Sequence, residues 1–198
     1  MLKIIDYKAG NAPSVLHAVG HLGFEAEFAR NPDELGNASK IILPGVGSAG
    51  ATMAALREAG LIKALGDAVL KKNIPFLGIC VGMQILFEHS EEENADCLGW
   101  LKGRVVKFAR SKVRVPQMGW NKVSLTETPI NKTLEDYFYF VNSYYVTPKN
   151  ESDIWGVSDY NGAFTAAVRK GNIYGTQFHI EKSGEAGLWL LRGFLLTD

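Results

Sequence analysis

A cysteine in a glycine-rich segment is the strongest chemical signal in the sequence. Residues 78–84 read Gly-Ile-Cys-Val-Gly-Met-Gln, after an apolar run over 75–79 that predicts a buried strand. Glycines two before and two after Cys80 permit a tight turn into a helix, as in nucleophile elbows that carry serine. A helix N-terminus stabilises a thiolate. Cys80 is therefore the candidate nucleophile, and the alternative is a small buried side chain, the commonest role of a free cysteine.

A histidine and a glutamate near the C-terminus are candidates for the base and its orienting acid. Residues 177–181 read Gln-Phe-His-Ile-Glu at the end of a predicted strand. In extended chain, residues two apart point the same way, so His179 and Glu181 can share a face. Glu181 could fix the imidazole tautomer, and His179 could activate the thiol. A surface histidine beside a glutamate is the alternative, but together with Cys80 the pair predicts a Cys-His-Glu site.

The elements that must position these residues alternate in the first half of the chain. Strand patterns occupy 2–6, 24–28, 41–43 and 75–79, and helical patterns occupy 13–22, 31–35, 49–58, 61–72 and 81–89. This alternation predicts a parallel sheet with helices on both faces. The second half is richer in short strands, predicted over 104–108, 120–125, 137–141, 154–159, 164–169 and 173–178, before a helix over 184–196. Gly171-Asn172 marks a hairpin turn. The absence of a linker pattern predicts one domain over residues 1–198.

Composition excludes several classes of protein. The 198 residues include 21 Lys+Arg and 21 Asp+Glu, and this zero net charge argues against a general nucleic-acid binder. The longest mostly apolar stretch, 74–87, is too short for a transmembrane helix, so no membrane partner is expected. Two cysteines cannot form a disulfide framework, and the start lacks a signal-peptide pattern. The sequence predicts a cytoplasmic protein with free thiols.

The motifs resemble those of a known family. Residues 78–84 resemble the nucleophile motif of class I, triad-type glutamine amidotransferases, and 177–183 resemble their His-Pro-Glu motif. More narrowly, the chain is similar to the glutaminase subunits of imidazole glycerol phosphate synthases over four further segments: Ile5-Asp6-Tyr7 with Gly10-Asn11, Leu43–Gly47, Val115–Asn121 and Phe140–Tyr145. The resemblance implies a three-layer α/β fold, with a mostly parallel central sheet flanked by helices and additional antiparallel strands in the C-terminal half.

The resemblance also implies an activity and its residues. L-glutamine would be hydrolysed to glutamate and ammonia through a glutamyl thioester on Cys80, with His179 as base and Glu181 as its orienting group. The oxyanion hole would use Val81 together with Val46 and Gly47. The substrate would be held by Gly45, Gly47, Gln84, Ser143 and Tyr144, although ordinary strand-end packing is the alternative for Ser143 and Tyr144. No cofactor and no metal are expected.

A partner is implied because ammonia released into water becomes ammonium, which is not a nucleophile. The family passes ammonia to a separate (β/α)₈ cyclase subunit in a heterodimer, which makes imidazole glycerol phosphate and AICAR in histidine biosynthesis. The positions that match the family's interface are Asn11, Gln117, Trp120 and Lys182. A core aromatic is the alternative for Trp120.

Several residues depart from the family's pattern. Ile180 stands where the family usually has proline, Lys8 replaces a glycine, and Gln117 and Asn142 stand where histidine is common. Lys8 could alter the choice of partner. Three alternatives therefore stay open: the same chemistry feeding another synthase, for example for sugar amination in surface-polysaccharide pathways; a catalytically silent regulatory subunit; and an unrelated thiol hydrolase.

Other chemical candidates are weaker. His17 and His21 have the spacing of a zinc pair but lack a third ligand, and they predict a solvated helix face. His89 is interpreted as a favourable contact at a helix C-terminus. Cys97 has no elbow and no basic neighbour, and is expected to be inert. The run 91–93, three glutamates, is interpreted as a solvated loop.

Overall fold

The structure is a computed structural model that describes residues 1–8, 11–109, 113–126 and 134–197. Gly10, part of the N-terminal motif, lies outside the described residues. No helix among the described residues is long and apolar enough to span a membrane.

Six α-helices occur in the described residues. Their bounds are α1 Ala12–His21, α2 Pro32–Leu35, α3 Ala49–Glu58, α4 Leu61–Gly66, α5 Val81–Gln84 and α6 Gly184–Leu195. Local chemistry explains two starts: Asn31 accepts a hydrogen bond from the Glu34 amide at the start of α2, and the Ser48 hydroxyl accepts one from the Ala51 amide at the start of α3.

Thirteen strands are found in the described residues. Their bounds are β1 Leu2–Ile5, β2 Ala26–Ala29, β3 Lys40–Gly45, β4 Phe76–Cys80, β5 His89–Ser90, β6 Ala95–Asp96, β7 Gly103–Lys107, β8 Gln117–Leu125, β9 Leu134–Asn142, β10 Tyr144–Pro148, β11 Ile154–Asp159, β12 Ala163–Lys170 and β13 Ile173–Thr176. Strands β1 and β4 are buried along their whole length. Continuous burial is typical of the centre of a parallel sheet.

The strands form one sheet in the order β2-β1-β3-β4-β13-β12-β10-β7-β5-β6, and β11 adds β8 and β9 by pairing with β12 and β8. Strands β2, β1, β3, β4 and β13 pair in parallel, whereas β13, β12, β10 and β7 pair antiparallel. The predicted α/β fold, with antiparallel strands added by the second half, is confirmed. The predicted hairpin turn at Gly171-Asn172 is also confirmed, because Lys170 pairs with Ile173.

The predicted helix over 81–89 is wrong beyond its first turn. Helix α5 ends at Gln84, and the chain then turns into β5. The next three residues, 85–87, are fully buried, and their carbonyl groups accept hydrogen bonds from the amides of Leu98, Leu101 and Gly99. These long-range bonds replace the helical ones. His89 is therefore a strand residue, and its Nδ1 lies 3.1 Å from Asp96 Oδ1 rather than at a helix end.

Two further expectations about elements need correction. The helix predicted over 61–72 is α-helical only to Gly66, and continues as a π-helical turn over Asp67–Lys71. Strand β10 was not expected from the sequence. It is short and half-exposed, and it is defined by its pairing with β7 and β12 rather than by an apolar pattern of its own.

Three glycines let β3, β4 and α5 approach one another through backbone contacts. A Cβ at Gly82 would overlap the Leu43 carbonyl oxygen, one at Gly78 would meet the Gly82 carbonyl group, and one at Gly45 would overlap the Gly82 amide nitrogen. The elbow is therefore packed backbone on backbone, and it has no room for a methyl group at these positions.

Replacing Gly82 with alanine tests this packing. We expect Gly82→Ala to lower the free energy of unfolding by about 1–3 kcal/mol or more, because the methyl group would displace β3. Gly66→Ala is the matched control: Gly66 has helical backbone angles, and no heavy atom of the described chain lies within 4 Å of its Cβ position. It should be neutral or stabilising by up to about 1 kcal/mol. Urea unfolding measures both, and equal stabilities of the two variants would contradict the packing.

Candidate active site

Cys80 lies at the junction of β4 and α5 in an unusual backbone conformation. Its φ is +56° and its ψ is −113°. A side chain is rarely tolerated at such angles, and the conformation costs on the order of 1–3 kcal/mol. The neighbouring glycines described above hold the turn. The thiol is thus placed at the N-terminus of α5, as the glycine spacing predicted.

His179 is held by backbone contacts to β9. Its amide donates to the Tyr139 carbonyl oxygen at 2.9 Å, and its own carbonyl oxygen accepts from the Ser183 hydroxyl at 2.7 Å. The Ser183 hydroxyl in turn accepts from the Tyr139 amide at 3.0 Å. The closed set of bonds fixes the residue that follows Phe178, whose ring is buried against Phe138 with centroids 4.2 Å apart.

The predicted contact between His179 and Glu181 is present, but its predicted cause is wrong. Nδ1 of His179 lies 3.0 Å from Glu181 Oε1. The two residues do not share a strand face, because a 3₁₀ turn over Ile180–Lys182 brings the carboxylate under the ring. A carboxylate can only accept, so Nδ1 donates to it and Nε2 is left for Cys80.

Asn11 completes the support of this pair. Its Nδ2 donates to Glu181 Oε1 at 2.8 Å, and its Oδ1 accepts from the Ser14 hydroxyl at 2.7 Å. The sequence placed Asn11 at a partner interface, whereas its side chain lies against the acid of the site. Within the described residues Glu181 Oε2 is buried without a hydrogen-bond partner.

Electrostatics favour a protonated histidine. Burial opposes the imidazolium, but hydrogen bonds to Cys80 and Glu181, with the charges of both, outweigh it and raise the pKa of His179 from 6.5 to about 10. For Glu181, burial raises the pKa, but the hydrogen bond and charge of His179 and the Asn11 amide together hold it below its usual value. His179 and Glu181 therefore form a buried ion pair, with a proton available beside the thiol.

A cavity of about 350 Å³ opens beside Cys80. It brings together most of the residues predicted for the site: Val46, Gly47, Cys80, Val81, Gln84, Ser143, Tyr144, His179 and Lys182. Glu92, Pro116, Val141 and Asn142 complete the lining. The cavity is large enough for an amino acid with a short polar side chain.

Gln84 is tied to the protein through its nitrogen. Its Nε2 donates to the Tyr144 carbonyl oxygen at 3.1 Å and to Gln177 Oε1 at 3.0 Å. Both N–H groups are thereby used, so the group that Gln84 can offer to a bound molecule is its carbonyl oxygen.

Other predicted residues lie elsewhere. Gly45 does not line the cavity and instead packs on the Gly82 backbone. Gln117 was expected at a partner surface, but it is only 3% exposed and faces Asn142 across β8 and β9, because it points to the covered side of that pair of strands. Trp120 is 56% exposed with its ring edge-on to Tyr139, so it is not a core aromatic. Lys182 is exposed at the cavity rim.

The comparisons with known proteins agree with this geometry. The sequence profile described as "Glutamine amidotransferase class-I" matches residues 3–196. The chain belongs to the class-I glutamine amidotransferase family.

Curated relatives narrow the similarity within the family. The chain is 46% identical to "Imidazole glycerol phosphate synthase subunit HisH" of Neisseria meningitidis serogroup B, over 97% of each chain. It is 43% identical to the protein of that name from Leptospira borgpetersenii, over 98% of each, and 42% identical to "Imidazole glycerol phosphate synthase subunit HisH 2" of Methanococcus maripaludis, again over 98% of each. The resemblance stated from the motifs is confirmed.

Solved structures support the fold alone. "Crystal structure of glutamine amidotransferase" matches with a TM-score of 0.78 at 18% identity, over 98% of this chain and 99% of that one. "Structure of PurLQS from Thermotoga maritima" matches with a TM-score of 0.78 at 21% identity, over 98% and 96%. The amidotransferase fold is thus retained in chains that share about a fifth of their residues.

Sequence reasoning missed Glu92 in this amidotransferase site. The run 91–93 was interpreted as a solvated loop, but Glu92 lines the cavity and accepts a hydrogen bond from the Ala49 amide at 2.9 Å. Burial raises the pKa of its carboxyl group, and the Ala49 amide opposes that rise. Glu91 is also engaged, because its carboxylate accepts from the Lys107 amide. No local pattern signals this placement, since it depends on packing between segments 40 residues apart.

The departure at Lys8 has a structural explanation. Lys8 has φ +66°, a conformation that favours glycine, the family's usual residue there. Its amide donates to Asp6 Oδ1 at 3.2 Å, a local bond that supports the turn. The lysine therefore keeps the family's backbone path at some cost in strain, and its side chain is exposed.

The raised pKa of His179 predicts how stability depends on pH. A group whose pKa is raised on folding stabilises the fold fully below its unfolded value of 6.5, and this stabilisation is lost as the pH rises through about 10. The free energy of unfolding should therefore fall between pH 6.5 and 10, with a slope of at most about 1.4 kcal/mol per pH unit from this group. Urea unfolding of the wild type and of His179→Asn across this range isolates the contribution. Parallel profiles for the two proteins would contradict the ion pair.

Proposed function

We propose that this chain is the glutaminase subunit of imidazole glycerol phosphate synthase. It hydrolyses L-glutamine to L-glutamate and ammonia, and the ammonia passes to a cyclase subunit that makes imidazole glycerol phosphate and AICAR in histidine biosynthesis. The observation that carries this proposal is the cavity in which Cys80 lies beside a buried His179–Glu181 ion pair, in a chain 42–46% identical to curated HisH subunits.

The reaction begins with attack of the Cys80 sulfur on the side-chain amide carbon of glutamine. A carbon–sulfur bond forms and the carbonyl oxygen takes up negative charge. His179, which holds a proton at neutral pH, protonates the amide nitrogen, and the carbon–nitrogen bond breaks to release ammonia. Water then attacks the thioester with His179 as base, which yields glutamate and restores Cys80. Glu181 keeps His179 in the tautomer that both steps need.

The developing oxyanion needs N–H donors near Cys80. The Val81 amide is the first of α5 and lies next to the nucleophile, so it is one donor. The second donor comes from the Val46–Gly47 segment on the opposite wall of the cavity. Both residues are exposed, and Gly47 has φ +94°, so this segment has the freedom to turn an amide toward the oxyanion.

The amino-acid end of glutamine binds at the far side of the cavity. The Glu92 carboxylate suits the substrate's ammonium group, since it is held by the Ala49 amide and faces the same space. Ser143 and Tyr144 lie where their backbones can meet the substrate's carboxylate, and the Gln84 oxygen can accept from a substrate N–H group. Cofactors and metals have no step in this reaction.

We assign the cyclase, a (β/α)₈ subunit in a heterodimer, to one face of β8 and β9. Met118 and Trp120 share that face of β8, and Tyr139 and Val141 lie opposite them on β9. Met118 and Trp120 are 67% and 56% exposed, an apolar patch that favours a protein partner over nucleic acid or membrane. Val141 also lines the cavity, so a partner on this face would adjoin the source of ammonia.

Two general features accompany the proposal. Residues 1–198 act as one glutaminase domain, because the sheet is continuous from β2 to β6. The reaction takes place in the cytoplasm, where the reducing environment keeps the Cys80 thiol free.

Glutamate release tests the function directly. The chain alone is incubated with glutamine, and then with the cyclase subunit of the same organism and its nucleotide substrate. We expect little glutamate from the chain alone and a large rise in the complex. A glutaminase that an active cyclase does not stimulate would contradict the assignment to this synthase, and sugar amination would be tested next. A chain without any activity would indicate a silent subunit.

Two serine variants identify the nucleophile. Cys80→Ser should abolish glutamate release but still bind the cyclase, because the hydroxyl fits the same space. Cys97→Ser should leave the rate nearly unchanged, since burial, together with the charge of Asp96, raises the pKa of Cys97 to about 11 and makes it a poor nucleophile. Loss of rate in Cys97→Ser, or full activity in Cys80→Ser, would show that the wrong thiol is assigned.

Glu92→Gln tests the proposed ammonium contact. Removal of the charge should raise the KM for glutamine about tenfold to a hundredfold, the range expected for a hydrogen bond to a charged group, with kcat largely kept. Glu91→Gln is the control, because its carboxylate contacts the Lys107 amide outside the cavity. Steady-state glutaminase kinetics in the complex measure both. An unchanged KM in Glu92→Gln would exclude the contact.

A further inference from the structure

The Cys80 sulfur has a neighbour that the mechanism above does not use. Gln177 is fully buried in the segment between β13 and His179, and its side-chain Nε2 lies 3.7 Å from Cys80 Sγ. That separation is a hydrogen-bonding distance for sulfur. A buried amide N–H that points at a sulfur atom stabilises the thiolate more than the neutral thiol, because hydrogen bonds to charged groups are the stronger ones.

The direction of this hydrogen bond follows from a chain of contacts that ends on a backbone carbonyl. The Tyr144 carbonyl oxygen can only accept, so the group that Gln84 presents to it must be Nε2. The same Nε2 also faces the side chain of Gln177, which must therefore present its oxygen at 3.0 Å. With its oxygen facing Gln84, Gln177 has its nitrogen left for Cys80. Rotation of the Gln177 amide by 180° would oppose two N–H groups and leave the sulfur facing an acceptor.

We propose that Gln177 is a further catalytic residue, whose side-chain amide donates a hydrogen bond to the Cys80 sulfur and stabilises it as a thiolate. The role rests on the proposed glutaminase function. It applies at two moments: before attack, when the sulfur carries negative charge, and in thioester hydrolysis, when the carbon–sulfur bond breaks and the electron pair returns to sulfur. Gln84, which also borders the substrate cavity, holds the donor in place.

Other charged or titratable groups also act on this sulfur. His179 faces it across the site, with Glu181 behind the ring, and the Tyr7 hydroxyl is close enough for its pKa to rise with the charge of Cys80, although burial is the larger cause. Glu92 and Lys182 line the same cavity. A test must therefore change the Gln177 donor and leave these groups in place.

Gln177→Met removes the donor with little change of volume. The rate of alkylation of Cys80 by iodoacetamide is measured against pH in the full-length chain, in a Cys97→Ser background so that one thiol reacts. We expect the pH midpoint of the profile to rise by about one unit, equivalent to a roughly tenfold smaller thiolate fraction at lower pH. Above the midpoint the variant should react as fast as the parent or faster, since a less stabilised thiolate is the better nucleophile.

The crossing of the two profiles separates this role from a loss of packing. Damage to the fold would change the rate at every pH without moving the midpoint. Thr176→Val is the matched control, because it removes the neighbouring buried hydroxyl, which donates to the Phe178 carbonyl oxygen and does not contact Cys80. It should leave the midpoint unchanged. In the cyclase complex at neutral pH, Gln177→Met should lower kcat severalfold while the KM for glutamine stays close to that of the parent.

An unmoved midpoint in a folded Gln177→Met protein would overturn the proposal. If that variant does not fold, the parent protein supplies the test: the side-chain amide resonances of Gln177, followed by NMR, should shift with the ionisation of Cys80 and should lose that step in Cys80→Ala. A resonance without the step in the parent would equally overturn the proposal. Alkylation and NMR need neither glutamine nor a partner, so their outcome is independent of whether the proposed function holds.

Discussion

The backbone turn at Cys80 is the constraint on which the rest of the site depends. A cysteine at φ +56° and ψ −113° is strained, and the turn persists because β3, β4 and α5 meet backbone to backbone at Gly45, Gly78 and Gly82. The strain lifts the thiol clear of the sheet and sets it at the helix N-terminus. The glycines therefore act on the chemistry without contacting a substrate, and their value lies in the absence of a side chain.

The acid–base pair is assembled from three separate parts of the chain. His179 comes from the end of the parallel sheet, its backbone is held by β9, and the Glu181 carboxylate is supported by Asn11 from the start of α1. Burial of two charged groups is costly, and it is tolerated here because each faces the other and the amide of Asn11. The raised pKa of His179 is a consequence of that arrangement, and so is the proton that the leaving ammonia needs.

The sequence was sufficient for features coded by short spacing. The elbow, the His179–Glu181 contact and the alternation of strands and helices follow from neighbours in the chain, and the structure agrees with them. Even so, the contact arises from a 3₁₀ turn rather than from strand alternation. The placements of Glu92 and Gln117 could not be predicted, because they depend on which distant segment covers each residue. The early end of α5 has the same origin, since amides over 98–101 take the carbonyl groups that a longer helix would have used.

Rigidity is distributed unevenly around the cavity, and this decides where a partner can act. On one side, the chain of amides from the Tyr144 carbonyl through Gln84 and Gln177 to Cys80 is buried and fixed in direction. On the other, the Tyr7 hydroxyl donates to the Pro44 carbonyl oxygen at 3.0 Å, and Gly45 is locked against Gly82. Beyond that point, Val46 and Gly47 are exposed, and Gly47 has no heavy atom of the described chain within 4 Å of its Cβ position. Motion that completes the oxyanion hole is therefore confined to one peptide segment, while the nucleophile, the base and the acid stay in register.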